Sequence, residues 1–377
     1  MTTQVPPLIE SLAEIPDPRH PSGRRYPLEA MLTLACVAVL CGYRSIKAIA
    51  EWGPNYGEKY LEPLGFNEHG YPAQVTWYRV LGAVDVKRVV KQLSQWTEAV
   101  VETLTEAEWV GLSLDGKTVR TSVKMGAEDG HLLSAVVHQL GVAVGQVAVE
   151  DHTNEIGSIE DLLVELALQQ RVVTADALLT QKEVVETIIA QGGAYVLPVK
   201  DNHPRTREAI QEWFDHPAPY YKPNHVAQTI EKEHGRIVSR RLETTTLLND
   251  YLDWAGLAQV FKITRRVHDV NTGAVSTQTV YGISSLSPQQ ASATDLLQFN
   301  RQHWTIENKL HWVKDMTFGE DWSQLRKGHS HQLLAFLRNL AISILRAEGW
   351  RNIASALRFY AARPHEALAL ATQPIGE

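Results

Sequence analysis

Apolar residues recur along this chain with two different periods, and the change between them divides it. Up to about residue 105 they come three and four apart. That spacing predicts helices over Pro27–Leu40, Ser45–Trp52, Thr76–Leu81 and Val86–Leu104, the first stopped by Gly42 and the second by Gly53. From about residue 108 short apolar runs and alternation take over. Trp109–Leu114 reads as a strand, and His131–Leu140 with Ala143–Glu150 as a hairpin about Gly141. Ile159–Gln169 reads as a helix, Arg171–Asp176 as a strand, Gln181–Gln191 as a helix ended by Gly192 and Gly193, and Ala194–Val199 as a strand.

Further on, Val226–Leu247, Ala258–Asp269 and Ala274–Ser285 alternate and are rich in Thr, Val and Ile, with Asn271–Gly273 as a hairpin turn. Helical spacing returns after Ser285, where Ser292 or Thr294 can cap a helix running through Glu307. Ser330–Ala347 and Ile353–Tyr360 read as closing helices. The pattern is α/β. Three strands followed by helix, strand, helix, strand is the order of a ribonuclease-H-like mixed sheet with flanking helices. A β-rich insertion interrupts it, and a helical N-terminal domain precedes it. That domain suits either a helix-turn-helix-like DNA module or a small bundle packed on the core.

Three acids stand out on this framework. Asp115 in VGLSLDGKT and Asp176 in RVVTADALL each end an apolar climb, so both read as acids at the ends of buried strands. Glu307 lies in RQHWTIENKLHWVKD, where His303, Glu307, His311 and Lys314 are four, four and three residues apart and share one helical face. Trp304, Leu310 and Val313 fall mainly off that face and can hold the helix down. Asp176 and Glu307 stand 131 residues apart, too far for a simple connection, which is where the β-rich insertion belongs.

With these residues the chain resembles the DDE transposases of the H-repeat-associated insertion-sequence group. The resemblance is carried by LDGKTVR at 114–120, VEDHTNEI at 149–156, TADALLTQ at 174–181, VLPVKDN at 196–202, EHGRIVSRR at 233–241 and HWTIENKLHWVKDMTFGED at 303–321. The stretch from Asp17 to Gly53 is similar to the helical domain preceding the catalytic core in that group. Departures are Asn300 and His303, where the wider family carries Tyr and Arg, and His152, where a Lys is expected. The resemblance implies residues 1–105 as the helical domain and 106–205 as the first part of the catalytic core. It implies 206–288 as the insertion, and 289–377 as the glutamate helix with the C-terminal helices.

It also implies chemistry. Cleavage at element ends and transfer of the 3′-hydroxyl to target DNA call for two Mg2+ ions about 4 Å apart, with Mn2+ as a substitute, held by hard oxygen ligands. Asp115 would bridge both ions, Asp176 hold one and Glu307 the other. Lys117, Arg120, Lys200, Asn202, His303, Lys314, Arg236 and Arg240 are the expected DNA contacts, Lys314 at a phosphate beside the scissile bond; His303 and His311 are candidates either for orienting a carboxylate or for touching DNA, and Trp304 and Trp312 for stacking on a base. Partners are the terminal inverted repeats, target DNA and a second copy of the chain during synapsis. A second reading is a domesticated or inactive relative that binds DNA without cutting. A third, a zinc site at His303, Glu307 and His311, lacks the HExxH-like motif of zinc hydrolases.

Composition narrows the electrostatics. In 377 residues with 44% hydrophobic content the net charge is −7 and the pI about 6.1, so any nucleic-acid surface is local. Candidate basic stretches are Arg19, Arg24 and Arg25; Lys200, Arg205 and Arg207; Arg236, Arg240 and Arg241; Lys262, Arg265 and Arg266; and Arg326 with Lys327. Cys36 and Cys41 are the two cysteines; five apart on a helix they diverge, which fits a reducing cytoplasm. The most apolar run, Leu28–Cys41, is shorter than the roughly 20 residues that span a bilayer. A cytoplasmic, nucleoid-associated bacterial protein is expected.

Overall fold

The computed structural model describes residues 5–56, 58–66, 69–119, 123, 131–149, 155–217, 225–233, 235–323, 325 and 329–375. Arg120, His152, Arg326 and Lys327 lie outside them. The chain forms two compact units, one of Met1–Ala107, Gly116–Leu166 and Thr305–Glu377, the other of Glu108–Asp115 and Ala167–Trp304.

The first unit is mainly helical. Its N-terminal part holds α1 (Leu8–Ala13), α2 (Leu28–Leu40), α3 (Ile46–Tyr56), α4 (Gln74–Ala83) and α5 (Val86–Leu104). Helix α2 is apolar all round because it is buried all round: every residue from Ala30 to Leu40 is buried. Gly53 does not stop α3, which runs to Tyr56 with Pro54 inside it. A Cβ at Gly53 would lie 2.4 Å from the Tyr71 ring, so this glycine makes room for an aromatic rather than a turn. Cys36 and Cys41 are free and buried. Among the described residues no helix is long and apolar enough to cross a membrane.

The same unit holds the antiparallel pair β2 (His131–Val137) and β3 (Ala143–Val149), with Gly141 at φ +70° in the hairpin, followed by α6 (Glu155–Glu165). Residues 110–115 of β1 (Val110–Thr118) belong to the second unit. There they begin a mixed sheet ordered β1-β4-β5-β9-β8-β7-β6. Its remaining strands are β4 (Arg171–Thr174), β5 (Ala194–Val199), β6 (His225–Glu233), β7 (Arg236–Thr245), β8 (Gln259–Asp269) and β9 (Val275–Ser284). β1, β4 and β5 run parallel as short, buried apolar strands, while β5 to β9 and on to β6 are antiparallel. The stretch expected as one run, 226–247, is two strands joined at Gly235, φ +75°.

Helices α7 (Lys182–Ala190), α8 (Pro204–Asp215) and α9 (Ala293–Gln302) complete the second unit. The sequence reading had no helix at α8, which starts with Pro204 in its first turn. At the start of α9, Ser292 and Asp295 form a reciprocal capping box. Leu296, Leu297 and Phe299 bury its inner face with Ala227, Leu242, Phe261 and Ile263 of the antiparallel strands. After α9, the first unit resumes with a π turn (Glu307–His311), α10 (Trp312–Met316), α11 (Ser330–Ala347), α12 (Ile353–Ala362) and α13 (Pro364–Thr372).

Candidate active site

Two of the three expected acids follow one register pair of the parallel strands. β1 and β4 are parallel neighbours with Ser113 opposite Thr174, and Asp115 and Asp176 each stand two residues beyond that pair. Parallel α/β sheets place ligands outside the carboxyl ends of their strands, and Asp176, in the loop after β4, sits at such an end. Asp115 is half-buried inside β1, which continues past it, rather than ending the strand as expected. Asp176 is exposed and begins the loop after β4.

That loop is held from several sides. The Leu179 N–H donates to Asp176 Oδ1 at 3.0 Å. The Thr180 hydroxyl lies 3.0 Å from the Asp176 carbonyl and 2.9 Å from that of Pro198. Asn202 donates its amide to the carbonyls of Ala177 at 2.6 Å and Thr180 at 3.3 Å. His203 Nε2 is 2.7 Å from the Thr180 carbonyl. Asn202 was expected at DNA; both of its donors are instead engaged in shaping the loop that carries Asp176. Lys200, at the end of β5, is exposed.

His303 caps α9 against the same strands. The Ser113 hydroxyl donates to its carbonyl at 3.1 Å, and its Nδ1 is 3.3 Å from the Thr174 hydroxyl. Burial pushes the imidazole below its ordinary pKa, while the charges of Asp115 and Asp176 and the Thr174 backbone pull the other way. Of the two roles expected of His303, orienting a carboxylate or touching DNA, the geometry is that of a ring turned toward the strands that carry the acids. Trp304 is corrected, being 65% exposed rather than holding the helix down.

Glu307 opens the π turn of the first unit, whose signature is the Trp312 N–H donating to the Glu307 carbonyl, five residues back. Its side chain is 56% exposed, with His311 Nδ1 3.6 Å from the carboxylate. The wider turn breaks the expected shared face at Lys314, while His311 stays beside Glu307. Glu307, Asn308, Trp312 and Met316 are exposed, while Leu310, His311, Val313 and Lys314 are buried. Lys314, expected at a phosphate, is instead fully buried with its Nζ 3.2 Å from Glu320. Arg338 Nη1 donates to the same carboxylate at 3.1 Å and Nη2 to the Arg44 carbonyl at 3.1 Å. Burial lowers the Lys314 pKa against the pull of Glu320. Burial alone would raise Glu320, but Lys314 and Arg338 hold it below the usual carboxylate range.

The remaining expected DNA contacts are mostly paired. Lys117 Nζ is 2.6 Å from Asp315. On the antiparallel strands, Arg240 and Arg301 share Glu231, each at 2.8 Å, and Arg236 is 3.5 Å from Asp269. Sequence reading missed Ser113 and Thr174; their signal is the two-residue offset that puts each just before an acid. For a divalent cation, the donor set of Asp115 and Asp176 fits: both supply hard oxygens two residues beyond one register pair, and the Leu179 N–H engages Oδ1 of Asp176.

Known proteins point the same way. Residues 110–344 match the family described as transposase DDE domain, and residues 9–97 match the family described as DDE_Tnp_1-associated. The chain is 30% identical over 349 residues to "Putative transposase YncI" of Escherichia coli O157:H7, covering 90% of this chain and 87% of that one. It is 28% identical over 355 residues to "H repeat-associated putative transposase YhhI" of Escherichia coli (strain K12), covering 90% of each. Against the solved structure of Streptomyces venezuelae DesVI the TM-score is 0.16 at 14% identity, over 36% of this chain and 48% of that one, a likeness too slight to carry an argument.

Proposed function

The chain belongs to the DDE transposase family, and from that premise we propose that it cuts DNA at the ends of a mobile element and joins the freed 3′-hydroxyls to target DNA. The catalytic acids in this reading are Asp115, Asp176 and Glu307, in a ribonuclease-H-like core. The observation that supports it is the pairing of β1 with β4: Asp115 and Asp176 each follow the Ser113–Thr174 register pair by two residues, Asp176 in the loop after β4. Parallel β1, β4 and β5, with α7 between the last two, support the fold assignment.

Two divalent ions, Mg2+ or Mn2+, supply activation of the attacking oxygen and neutralisation of the leaving oxygen when bound. The carboxylates of Asp115 and Asp176 present oxygen ligands, with the loop at residues 176–180 pinned so that Asp176 keeps its direction. Glu307 provides the third acid by its place in the family motif. Lys200, exposed beside that loop, is the basic residue best placed to meet a phosphate in the second unit. Synapsis of two ends calls for a second copy of the chain during reaction.

The test is cleavage and strand transfer on labelled DNA carrying the ends of the encoding element, with Mg2+ or Mn2+. Asp115→Ala, Asp176→Ala and Glu307→Ala are compared with wild type. Metal-dependent products, lost in all three, are expected. End-specific binding with no products under either metal would instead favour a relative that binds without cutting.

A further inference from the structure

His303 is gripped twice by the strands that carry the acids. The Ser113 hydroxyl donates to its backbone carbonyl at 3.1 Å, and the Thr174 hydroxyl lies 3.3 Å from its Nδ1 and 3.4 Å from the Leu112 carbonyl. Ser113 and Thr174 are opposite one another in the β1–β4 register, one alternation before Asp115 and Asp176. Side chains two apart on a strand share a face, so Ser113 lies on the Asp115 side of β1.

The helix ending at His303 is a firm anchor. Its first turn is closed by the Ser292–Asp295 capping box, its inner face is buried at Leu296, Leu297 and Phe299, and Arg301 is tied to Glu231 at 2.8 Å. A hydroxyl on each strand therefore connects a fixed helix end to the strand positions that immediately precede the acids. We infer that His303 is a positioning residue: with Ser113 and Thr174 it clamps the end of α9 to β1 and β4 and sets the direction in which Asp115 and Asp176 present their oxygens to a divalent cation.

This rests on the proposed metal-dependent activity and gives a physical route to one of the two roles expected of His303, orienting a carboxylate rather than touching DNA. The ring's Nδ1 lies within 3.3 Å of the Thr174 hydroxyl, on the protein side of the residue. Partners that orient metal-binding groups typically change metal affinity 10- to 100-fold when removed.

The experiment is Mn2+ binding to the full chain without DNA, read from the electron paramagnetic resonance of free Mn2+. Wild type is compared with Thr174→Val, Ser113→Ala, His303→Ala, His303→Asn and the Thr174→Val/His303→Ala pair, each checked by thermal melting. Thr174→Val and His303→Ala should each weaken Mn2+ binding about 10-fold or more. The double variant should be no weaker than the worse single one, because both remove the same contact. His303→Asn, which keeps a polar atom near the Nδ1 position, should recover most of the loss. The salt dependence of DNA binding should not change in any of them.

Wild-type Mn2+ affinity in Thr174→Val and His303→Ala would overturn the clamp, as would additive losses in the double variant. A salt slope reduced by about one in His303→Ala would make the ring a phosphate contact instead. If His303→Ala does not fold, the nearly isosteric Thr174→Val and Ser113→Ala decide the matter. Asp115→Ala and Asp176→Ala separate the clamp from the metal site it acts on. If they abolish binding and the clamp variants do not, only the clamp fails. If they leave Mn2+ binding unchanged, the metal reading fails and the clamp with it.

Discussion

The strand ends of the second unit and the region around Glu320 in the first use acidic side chains in opposite ways. Asp176 is exposed and takes a backbone N–H, a neutral donor, and it follows the same register pair as Asp115. Glu320 is wholly buried and carries two cations, Lys314 at 3.2 Å and Arg338 at 3.1 Å. Full burial with full pairing is what a structural charge requires, because an unpaired ion costs several kcal/mol to desolvate. An exposed acid held in direction by a backbone N–H meets no such cost. Acids of one chain therefore stand in different settings, told apart by their burial and their partners.

The strongest way to break this contrast is to remove charge from each region in turn. Asp176→Asn should lower strand cleavage more than about a hundredfold, roughly 2.7 kcal/mol of barrier, with a melting temperature close to wild type. Retained cleavage in that variant would remove Asp176 from the site. Glu320→Gln should do the reverse. Leaving Lys314 and Arg338 buried against a neutral amide should cost about 3–5 kcal/mol of stability, read by denaturant unfolding. A Glu320→Gln protein as stable as wild type would show that the buried network contributes little.

A pH titration sharpens the same comparison. Glu320 is held below its ordinary value of 4.5 by its cations. Its stabilising contribution is complete above the unfolded value and is lost as pH falls through the lower folded value. The wild-type chain should lose stability in that acid window more steeply than Glu320→Gln, with unfolding followed by far-UV circular dichroism between pH 5 and about 2. Parallel acid limbs for the two proteins would place the acid sensitivity elsewhere.

Much of the second unit was legible because its signals are local. Apolar climbs ending at Asp115 and Asp176 mark parallel strands, and Ala194–Val199 is a strand with the bounds its composition gives. Helix Val86–Leu104 is equally plain, with Asp85 as its cap. What stayed hidden depends on partners far along the chain or on a rare turn. Gly53 reads as a stop until Tyr71 is seen to need its space. The π turn at Glu307–His311 has no composition of its own, and one extra residue in a turn is enough to carry Lys314 from the supposed polar face into the core. Ser113 and Thr174 look like ordinary strand residues until the register places them opposite each other beneath His303.

The finest discrimination lies between two lysines that sequence alone treats alike. Lys314 occupies the motif position associated with phosphate, yet its ammonium is buried against Glu320. Lys200 follows β5, exposed, two residues before the Asn202 that pins the Asp176 loop. Each phosphate contact contributes close to one unit to the slope of log affinity against log salt, whatever else it does for the fold. Lys200→Gln should therefore reduce that slope by about one with little change in melting temperature. Lys314→Gln should leave the slope unchanged while lowering the melting temperature, provided binding is measured where the variant is folded. The reverse pattern would mean that Lys314 leaves its buried pair to meet DNA, and the line between ligand-facing and structural charge would have to be redrawn with Lys314 on the other side.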